Sequence, residues 1–311
     1  MPPGRHLLSG VLVVDKPRGP TSFDVVRRVR QALRIKRIGH TGTLDPLATG
    51  VLALCLNRAT KMVPFLQAGR KIYTGDMILG MSTETDDITG RVTAKRADFD
   101  LSPREIIDAA REFVGAIEQV PPAYSAVKLG GVPAYRRARA GEKIALKSRI
   151  VQVDEFEITG IDMPRVSFHL RVSSGTYVRS IVADLGRRLK TGACLETLRR
   201  LSSSPFSLKD AVTLDEALDL ARAERIEERI IPLEQALAFM PAVQVQDRLV
   251  RSVENGQVLP LSCLEDYHPQ PGPVRVLTRE TGLLAIYQYT PSEGPREQDQ
   301  LTPLRILGRN A

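Results

Sequence analysis

Gly39-His40-Thr41-Gly42-Thr43-Leu44-Asp45-Pro46-Leu47-Ala48-Thr49-Gly50 places one carboxylate in the middle of a loop. Three glycines and a proline forbid a helix there and set tight backbone turns. Asp45 precedes Pro46, so its backbone is pushed to an extended conformation and its side chain is carried by a stiff segment. The apolar run Val51-Leu52-Ala53-Leu54-Cys55-Leu56 follows at once and predicts a buried strand. A reactive group on a rigid loop beside a core strand is how enzymes fix one atom in place. Taken alone, Asp-Pro also marks ordinary turns. A glycine-rich turn can cradle phosphate, but neither G-x-x-x-x-G-K-[ST] nor G-x-G-x-x-G occurs in the chain.

Composition narrows the class. The 311 residues, 42% hydrophobic, suffice for one large domain and a small one. No stretch approaches a membrane span. The apolar run Leu7 to Val14 is short, lacks a small-residue cleavage site, and is not expected to be a signal peptide. Cys55, Cys194 and Cys263 are widely spaced, without CxxC or Cys/His patterns, so neither a metal nor a disulfide is expected and a reducing cytoplasm fits. The net charge of +8 favours a polyanionic partner. Residues 241–311 carry seven Arg and eight Asp/Glu, a net of −1, so the attraction resides in the first 240 residues.

The pattern predicts a strand over Gly10–Val14 and a helix over Ser22–Leu33, capped by Thr21 or Ser22, with Phe23, Val26, Val29 and Leu33 on its buried stripe. Arg27, Arg28, Arg30, Arg34, Lys36 and Arg37 form an acid-free run, either a solvated helix face or a guide for phosphate toward the Asp45 loop. Strands are expected over Val51–Leu56 and Ile72–Leu79. Ser102-Pro103-Arg104-Glu105 starts a helix that runs to about Phe113. Residues 119–147 hold Pro121-Pro122, Gly130-Gly131 and the cations Arg136, Arg137, Arg139, Lys143 and Lys147, an excursion from the core. Arg149–Ile158 and Val166–Val172 alternate as half-buried strands do. Tyr177–Leu189 and the charged stretch Thr213–Ile231 read as helical, and Pro232–Ala238 as a short helix. Met240-Pro241 marks a domain boundary. Beyond it, Val243–Val245, Val274–Leu277, Leu283–Tyr289 and Leu304–Leu307, separated by Pro and Gly most densely over Pro269–Pro273, suggest a small β-barrel.

The loop from Gly39 to Gly50 resembles the catalytic motif of the TruB family of tRNA pseudouridine synthases at twelve contiguous positions. Further motifs follow in the family's order. They are Gly10–Ser22 with its Lys16-Pro17 turn, Ala59-Thr60-Lys61, Lys71-Ile72-Tyr73, Thr83-Glu84-Thr85-Asp86-Asp87, Pro122-Ala123-Tyr124-Ser125-Ala126-Val127-Lys128, Ser174-Gly175-Thr176-Tyr177-Val178-Arg179-Ser180-Ile181 and Leu198-Arg199-Arg200. The resemblance spans about Gly10 to Ser204 and thins beyond. It implies an α+β fold in two parts. Residues 1–240 would form a mixed, largely antiparallel sheet flanked by helices and loops around a central cleft, with an RNA-gripping insertion at about 119–147. Residues 241–311 would form a small PUA-like β-barrel. It implies Asp45 as the catalytic carboxylate, Arg179 as its ionic partner and Tyr73 as the platform for an extruded base. Tyr177 would be a second pocket residue, His40 would fill the space the base leaves, and Asp87 would sit against Arg179. Lys16 and Lys61 would fix loops or contact phosphate, and Leu198, Arg136 and Arg137 would contact the substrate RNA.

The chemistry implied is isomerisation of uridine 55 in the TΨC loop of tRNA. The C1′–N1 bond breaks, the uracil turns over and C1′ joins C5. This needs one carboxylate and no cofactor or metal. A glycoside hydrolase would want two carboxylates flanking the bond. Asp86 and Asp87 are the conspicuous candidates, and the resemblance sets Asp87 against Arg179 instead. The expected partner is the tRNA T-arm, with no membrane and no obligate protein partner, in a cytoplasmic monomer. A non-catalytic RNA-binding protein or tRNA-folding chaperone, and a pseudouridine synthase acting on another RNA, are the alternatives.

Overall fold

The computed structural model describes residues 8–125, 127–142, 144–261, 264, 270–278, 282–291 and 299–307; Leu7, Ala126, Lys143, Cys263, Pro269 and the Arg139 side chain lie outside the described residues. β1 (Gly10–Lys16) leads into α1 (Ser22–Leu33). A capping box fixes the start of α1. Thr21 Oγ1 accepts from the Asp24 amide at 3.0 Å, and the Asp24 carboxylate accepts from the Thr21 amide at 3.1 Å. Val25, Val26, Val29 and Leu33 are buried with Ser22, whereas Phe23, expected on the buried stripe, is 64% exposed. The cause is Ser22, whose hydroxyl is tied to Leu44 and sets the rotation of the helix.

β2 (Ile38–His40), β3 (Thr49–Leu56), α2 (Val63–Leu66) and β4 (Lys71–Leu79) follow, then the hairpin β5 (Met81–Thr83) and β6 (Val92–Lys95). α3 (Pro103–Arg111) carries the Ser102–Glu105 capping box that its sequence announces. After β7 (Gly115–Gln119) the chain leaves the sheet as predicted, forming β8 (Lys128–Leu129), β9 (Val132–Pro133) and α4 (Ala134–Arg139). It returns as β10 (Arg149–Asp162) and β11 (Arg165–Val172), then α5 (Val178–Arg188) and β12 (Ala193–Ser203). β13 (Phe206–Ser207) and β14 (Val212–Thr213) precede α6 (Leu214–Arg222). The expected helix over Thr213–Ile231 stops there. Glu224 turns left-handed at φ 59° and the Arg225 amide bonds back to Leu220 O at 2.8 Å, a left-handed C-terminal stop. β15 (Ile230–Ile231) and α7 (Leu233–Ala236) complete this part.

The main sheet runs β14-β1-β3-β12-β4-β11-β10-β7, with β2 on β3, β13 on β12 and β15 on β1. Two of its pairings, β1–β14 and β12–β3, are parallel and the rest antiparallel. Its centre is covered on both faces, which is why β1 and β3 are continuously apolar. Leu12, Val14, Leu52, Leu54 and Leu56 enter one core with α1 and α5. Val11, Val13, Val51, Ala53 and Cys55 enter a second core that also contains Leu283, Ile286 and Leu307 from the C-terminal part.

That part comprises β16 (Ala242–Gln244), α8 (Asp247–Glu254), β17 (Leu259–Pro260), β18 (Gly272–Thr278), β19 (Gly282–Thr290) and β20 (Gln300–Ile306). Its five strands make one curled sheet, β16-β18-β19-β20-β17, a half-barrel consistent with the PUA-like domain that the resemblance implies. α8 is an element the sequence reading did not anticipate; Val250 and Val253 are its buried anchors. Among the described residues, no helix is long and apolar enough to cross a membrane.

Candidate active site

The Asp45 loop is held by side chains that bond its backbone. Ser22 Oγ donates to Leu44 O at 2.9 Å and accepts from Leu44 N at 2.8 Å, so one hydroxyl satisfies both peptide groups of the residue before Asp45. Lys16, fully buried on β1, donates to Ala48 O at 2.7 Å, Pro17 O at 2.9 Å and Pro46 O at 3.4 Å. Arg200, 1% exposed on β12, donates to Val51 O at 2.7 Å, Gly42 O at 3.0 Å and Thr43 O at 3.5 Å. The parallel β12–β3 register delivers it, pairing Arg200 with Gly50. Gly50 has φ 102°, and a Cβ there would lie 2.2 Å from Arg200 O, so only glycine allows the strands this close. The Gly19 amide donates to Pro46 O at 2.8 Å, and the Ala48 amide closes the turn on Asp45 O at 3.0 Å. Leu44 and Leu47, on either side of Asp45, are sunk in the same apolar cluster as Tyr73, Val178 and Leu198.

Asp45 meets Arg179, the second residue of α5. Arg179 Nε donates to Asp45 Oδ2 at 2.8 Å and Nη2 to Oδ1 at 3.3 Å, a two-point fork that orients both carboxylate oxygens. The remaining donors reach Thr85 O at 2.7 Å and Tyr124 O at 2.9 Å. Arg179 is 4% exposed at its side chain, whereas Asp45 keeps 36% of its own open to solvent. The carboxylate is therefore reachable while the cation that directs it is sealed. Asp87 lies 3.8 Å from Arg179 Nη1, and its other oxygen accepts from Thr85 Oγ1, Thr89 N and Thr89 Oγ1. It holds the acidic loop together beneath the arginine.

The other predicted residues divide. His40, on β2, is half-buried and its Nδ1 accepts from the Gly42 amide at 3.3 Å; burial, then Arg200, pushes its pKa down. Tyr73, on β4, is 5% exposed and sits opposite Arg200 on β12. Tyr177 caps the start of α5, with the Arg149 guanidinium 5.0 Å from its ring centroid. Leu198 is 7% exposed. Arg136 is exposed on α4; Arg137 is partly spent on Leu129 O at 3.3 Å and Glu142 at 3.5 Å. The two lysines part ways. Lys16, with every accessible surface gone and three carbonyl partners, fixes the loop and is closed to phosphate. Lys61 belongs to a turn after β3 and donates to Ile306 O at 2.9 Å, tying the C-terminal sheet to the main one rather than serving the Asp45 loop.

Arg200 is the residue whose part the sequence reading missed, although its motif was noted. No local signal in the sequence sets Arg200 apart, since its strand also carries Glu196 and Arg199. Lys16, Lys71 and Arg200 are buried cations bonded to carbonyl oxygens. Burial pushes Lys16 and Lys71 down to about 8; Asp45 pulls Lys16 back up and Arg200 depresses both. Among the described residues, the group able to hold a metal ion is Glu155, Glu157 and His169 on β10 and β11, none of them a predicted site residue. A surface cavity of about 520 Å³ between the C-terminal halves of α1 and α6, lined by Arg28, Arg34 and Arg222 among others, is likewise separate from the Asp45 loop.

Residues 30–178 match the TruB family pseudouridylate synthase (N terminal domain), and residues 179–238 match the tRNA pseudouridylate synthase B C-terminal domain. The Asp45–Arg179 pair thus joins the two matched segments. A protein of Syntrophus aciditrophicus (strain SB) named tRNA pseudouridine synthase B is 42% identical over 286 residues, 91% of each chain. One of the same name from Bacillus pumilus (strain SAFR-032) is 38% identical over 310 residues, 98% of this chain and 99% of that one. Among solved structures, a chain of a Cbf5-Nop10-Gar1 complex superposes with a TM-score of 0.77 at 27% identity, covering 99% of this chain and 88% of that chain. With the family's domains matched in order and relatives alike along nearly their whole length, the chain belongs to the TruB family of pseudouridylate synthases.

Proposed function

We propose that this chain converts uridine to pseudouridine in tRNA, at position 55 of the TΨC loop, with Asp45 as the catalytic carboxylate. The observation that carries the reading is the Asp45–Arg179 fork: an accessible carboxylate aimed by a sealed guanidinium on a loop clamped at both flanks. The names of the relatives supply the substrate class.

In this reading the target base leaves its stack, at a cost of a few kcal/mol, which stacking on an aromatic ring offsets by about 1–3 kcal/mol. Tyr73, with Leu198 in the same apolar cluster, forms the floor that receives the ring. Tyr177 flanks it and His40 takes the vacated space. Asp45 attacks C1′ or assists departure of uracil. N1 leaves with the bonding pair, the base turns, C5 bonds to C1′ as any Asp45–C1′ bond breaks, the C5 proton passes to solvent and N1 takes up a proton in exchange. Residues 1–240 form the catalytic domain and 241–311 an RNA-contacting PUA-like domain. The insertion at about 119–147 grips the T-arm through Arg136 and Arg137. The chain acts as a monomer in the cytoplasm, without an obligate protein partner.

Release of tritium from C5 of labelled uridine in tRNA, by the purified chain alone, tests this. The parent protein is expected to release it and Asp45→Asn to release none while still binding tRNA. Full turnover by Asp45→Asn refutes the assignment of Asp45; binding without release by the parent leaves an RNA-binding module or chaperone. Parallel assays on ribosomal RNA without a guide RNA decide the substrate.

A further inference from the structure

The insertion leaves the sheet after β7 and returns at β10, and both of its roots converge on one short stretch, Gly175 to Ser180. At the first root Gln119 is 1% exposed, and its side-chain amide meets both polar groups of the Tyr177 backbone. Its Oε1 accepts from Tyr177 N at 2.8 Å and its Nε2 donates to Tyr177 O at 3.0 Å. The next residue, Val120, accepts from Ser180 Oγ at 3.4 Å. At the second root Arg149 lies over the Tyr177 ring and donates to Gly175 O. Between the roots, Tyr124 O accepts one arm of Arg179.

Tyr177 is the N-cap of α5 and offers no side-chain cap of its own. Helix starts leave amides without partners, and a buried orphan is costly. Gln119 answers this from outside the helix with one donor and one acceptor in a plane, as a neighbouring strand would. The residue two places after this anchor is Arg179. The direction from which Arg179 reaches Asp45 is therefore set at the root of the insertion.

We propose that Gln119 is a positioning residue for the Asp45–Arg179 pair, binding the root of the insertion to the α5 start so that seating of the insertion on RNA is transmitted to the catalytic carboxylate. The assignment rests on the pseudouridine synthase reading above. It separates grip from chemistry. Gln119 has no surface left to touch RNA, so its loss must show in the reaction rather than in affinity.

The test uses the full chain carrying Gln119→Met, which keeps the side-chain volume and removes both polar atoms, and Gln119→Glu, which keeps an acceptor for Tyr177 N and loses the donor to Tyr177 O. tRNA affinity is measured by filter binding, and the single-turnover rate by tritium release at saturating enzyme. For Gln119→Met the dissociation constant is expected within about twofold of the parent and the single-turnover rate at least about tenfold lower, the penalty of a small misplacement of a catalytic group. Gln119→Glu is expected to lose rate in the same direction with affinity kept, and decides the matter alone if Gln119→Met fails to fold. A parent-like single-turnover rate in a folded variant, or a fall in affinity large enough to account for the lost activity, overturns the proposal. A parent protein that releases no tritium rejects the enzymatic reading instead.

Discussion

Replacing Arg200 with Lys tests whether the Asp45 loop is held from below. Arg200 makes two well-formed bonds, to Val51 O at 2.7 Å and Gly42 O at 3.0 Å, and one marginal contact, to Thr43 O at 3.5 Å. Hydrogen bonds to a charged group contribute about 1.5–3 kcal/mol each. An ammonium is a point donor and cannot span carbonyls that a planar fork joins, so Arg200→Lys loses about one such bond while keeping the charge. At the roughly 2–4 °C per kcal/mol of a large domain, the melting temperature should fall by about 3–12 °C. The carbonyls released belong to the residues leading into and out of the loop. A displacement of 1 Å at a catalytic group costs about a hundredfold in rate, so turnover should drop about 10- to 100-fold. Single-turnover tritium release and filter binding on the same preparation give the answer. Turnover equal to the parent, with the melting temperature lowered as stated, would show that the loop keeps its shape without the fork and would refute the reasoning.

Four further outcomes follow from the same contacts. Asp45→Asn should abolish turnover yet lower the melting temperature by only a few degrees, because Arg179 keeps Thr85 O, Tyr124 O and the nearby Asp87; differential scanning fluorimetry beside the activity assay checks it. Gly50→Ala should cost more than 2 kcal/mol, roughly, since it combines a left-handed φ with a Cβ driven into the Arg200 backbone; urea unfolding measures it. Lys71 has its pKa pushed from 10.5 to about 8 by burial, so above about 8 the folded state holds fewer protons than the unfolded one. The stability of the parent relative to Lys71→Met should therefore rise as pH climbs from about 8 to 10.5, and a flat difference in melting temperature across that range would contradict the burial. Ile286→Ala, in the core shared by the two sheets, should cost about 2–5 kcal/mol and shift one common unfolding transition; two transitions of which only one moves would show the sheets to be independent.

Much of the site was legible in the chain because its parts are local. The loop is written in twelve consecutive residues, the α1 and α3 caps in four each, and the excursion after β7 in its prolines, glycines and cations. What escaped depends on distant partners. Phe23 satisfies an apolar stripe, yet Ser22 wins the buried face through a bond to Leu44, 22 residues away. The stretch after Leu214 looks helical by composition, but Glu224 takes a left-handed turn that no propensity announces. Arg200 looks like any basic residue until the parallel register sets it under Gly42 and Gly50. Lys61 enters the site only through the resemblance of Ala59-Thr60-Lys61 to a family motif; three-dimensional folding sends it to the C-terminal sheet.

Cys55 lies in the core between the two sheets, with its thiol pushed up to about 12 by burial, so it is inert toward alkylating reagents while that core is closed. Any event that parts the two sheets uncovers it. In a background where Cys194 and Cys263 are replaced by serine, the rate of its modification becomes a clock for that opening, and its change on adding tRNA would report how firmly RNA clasps the halves together.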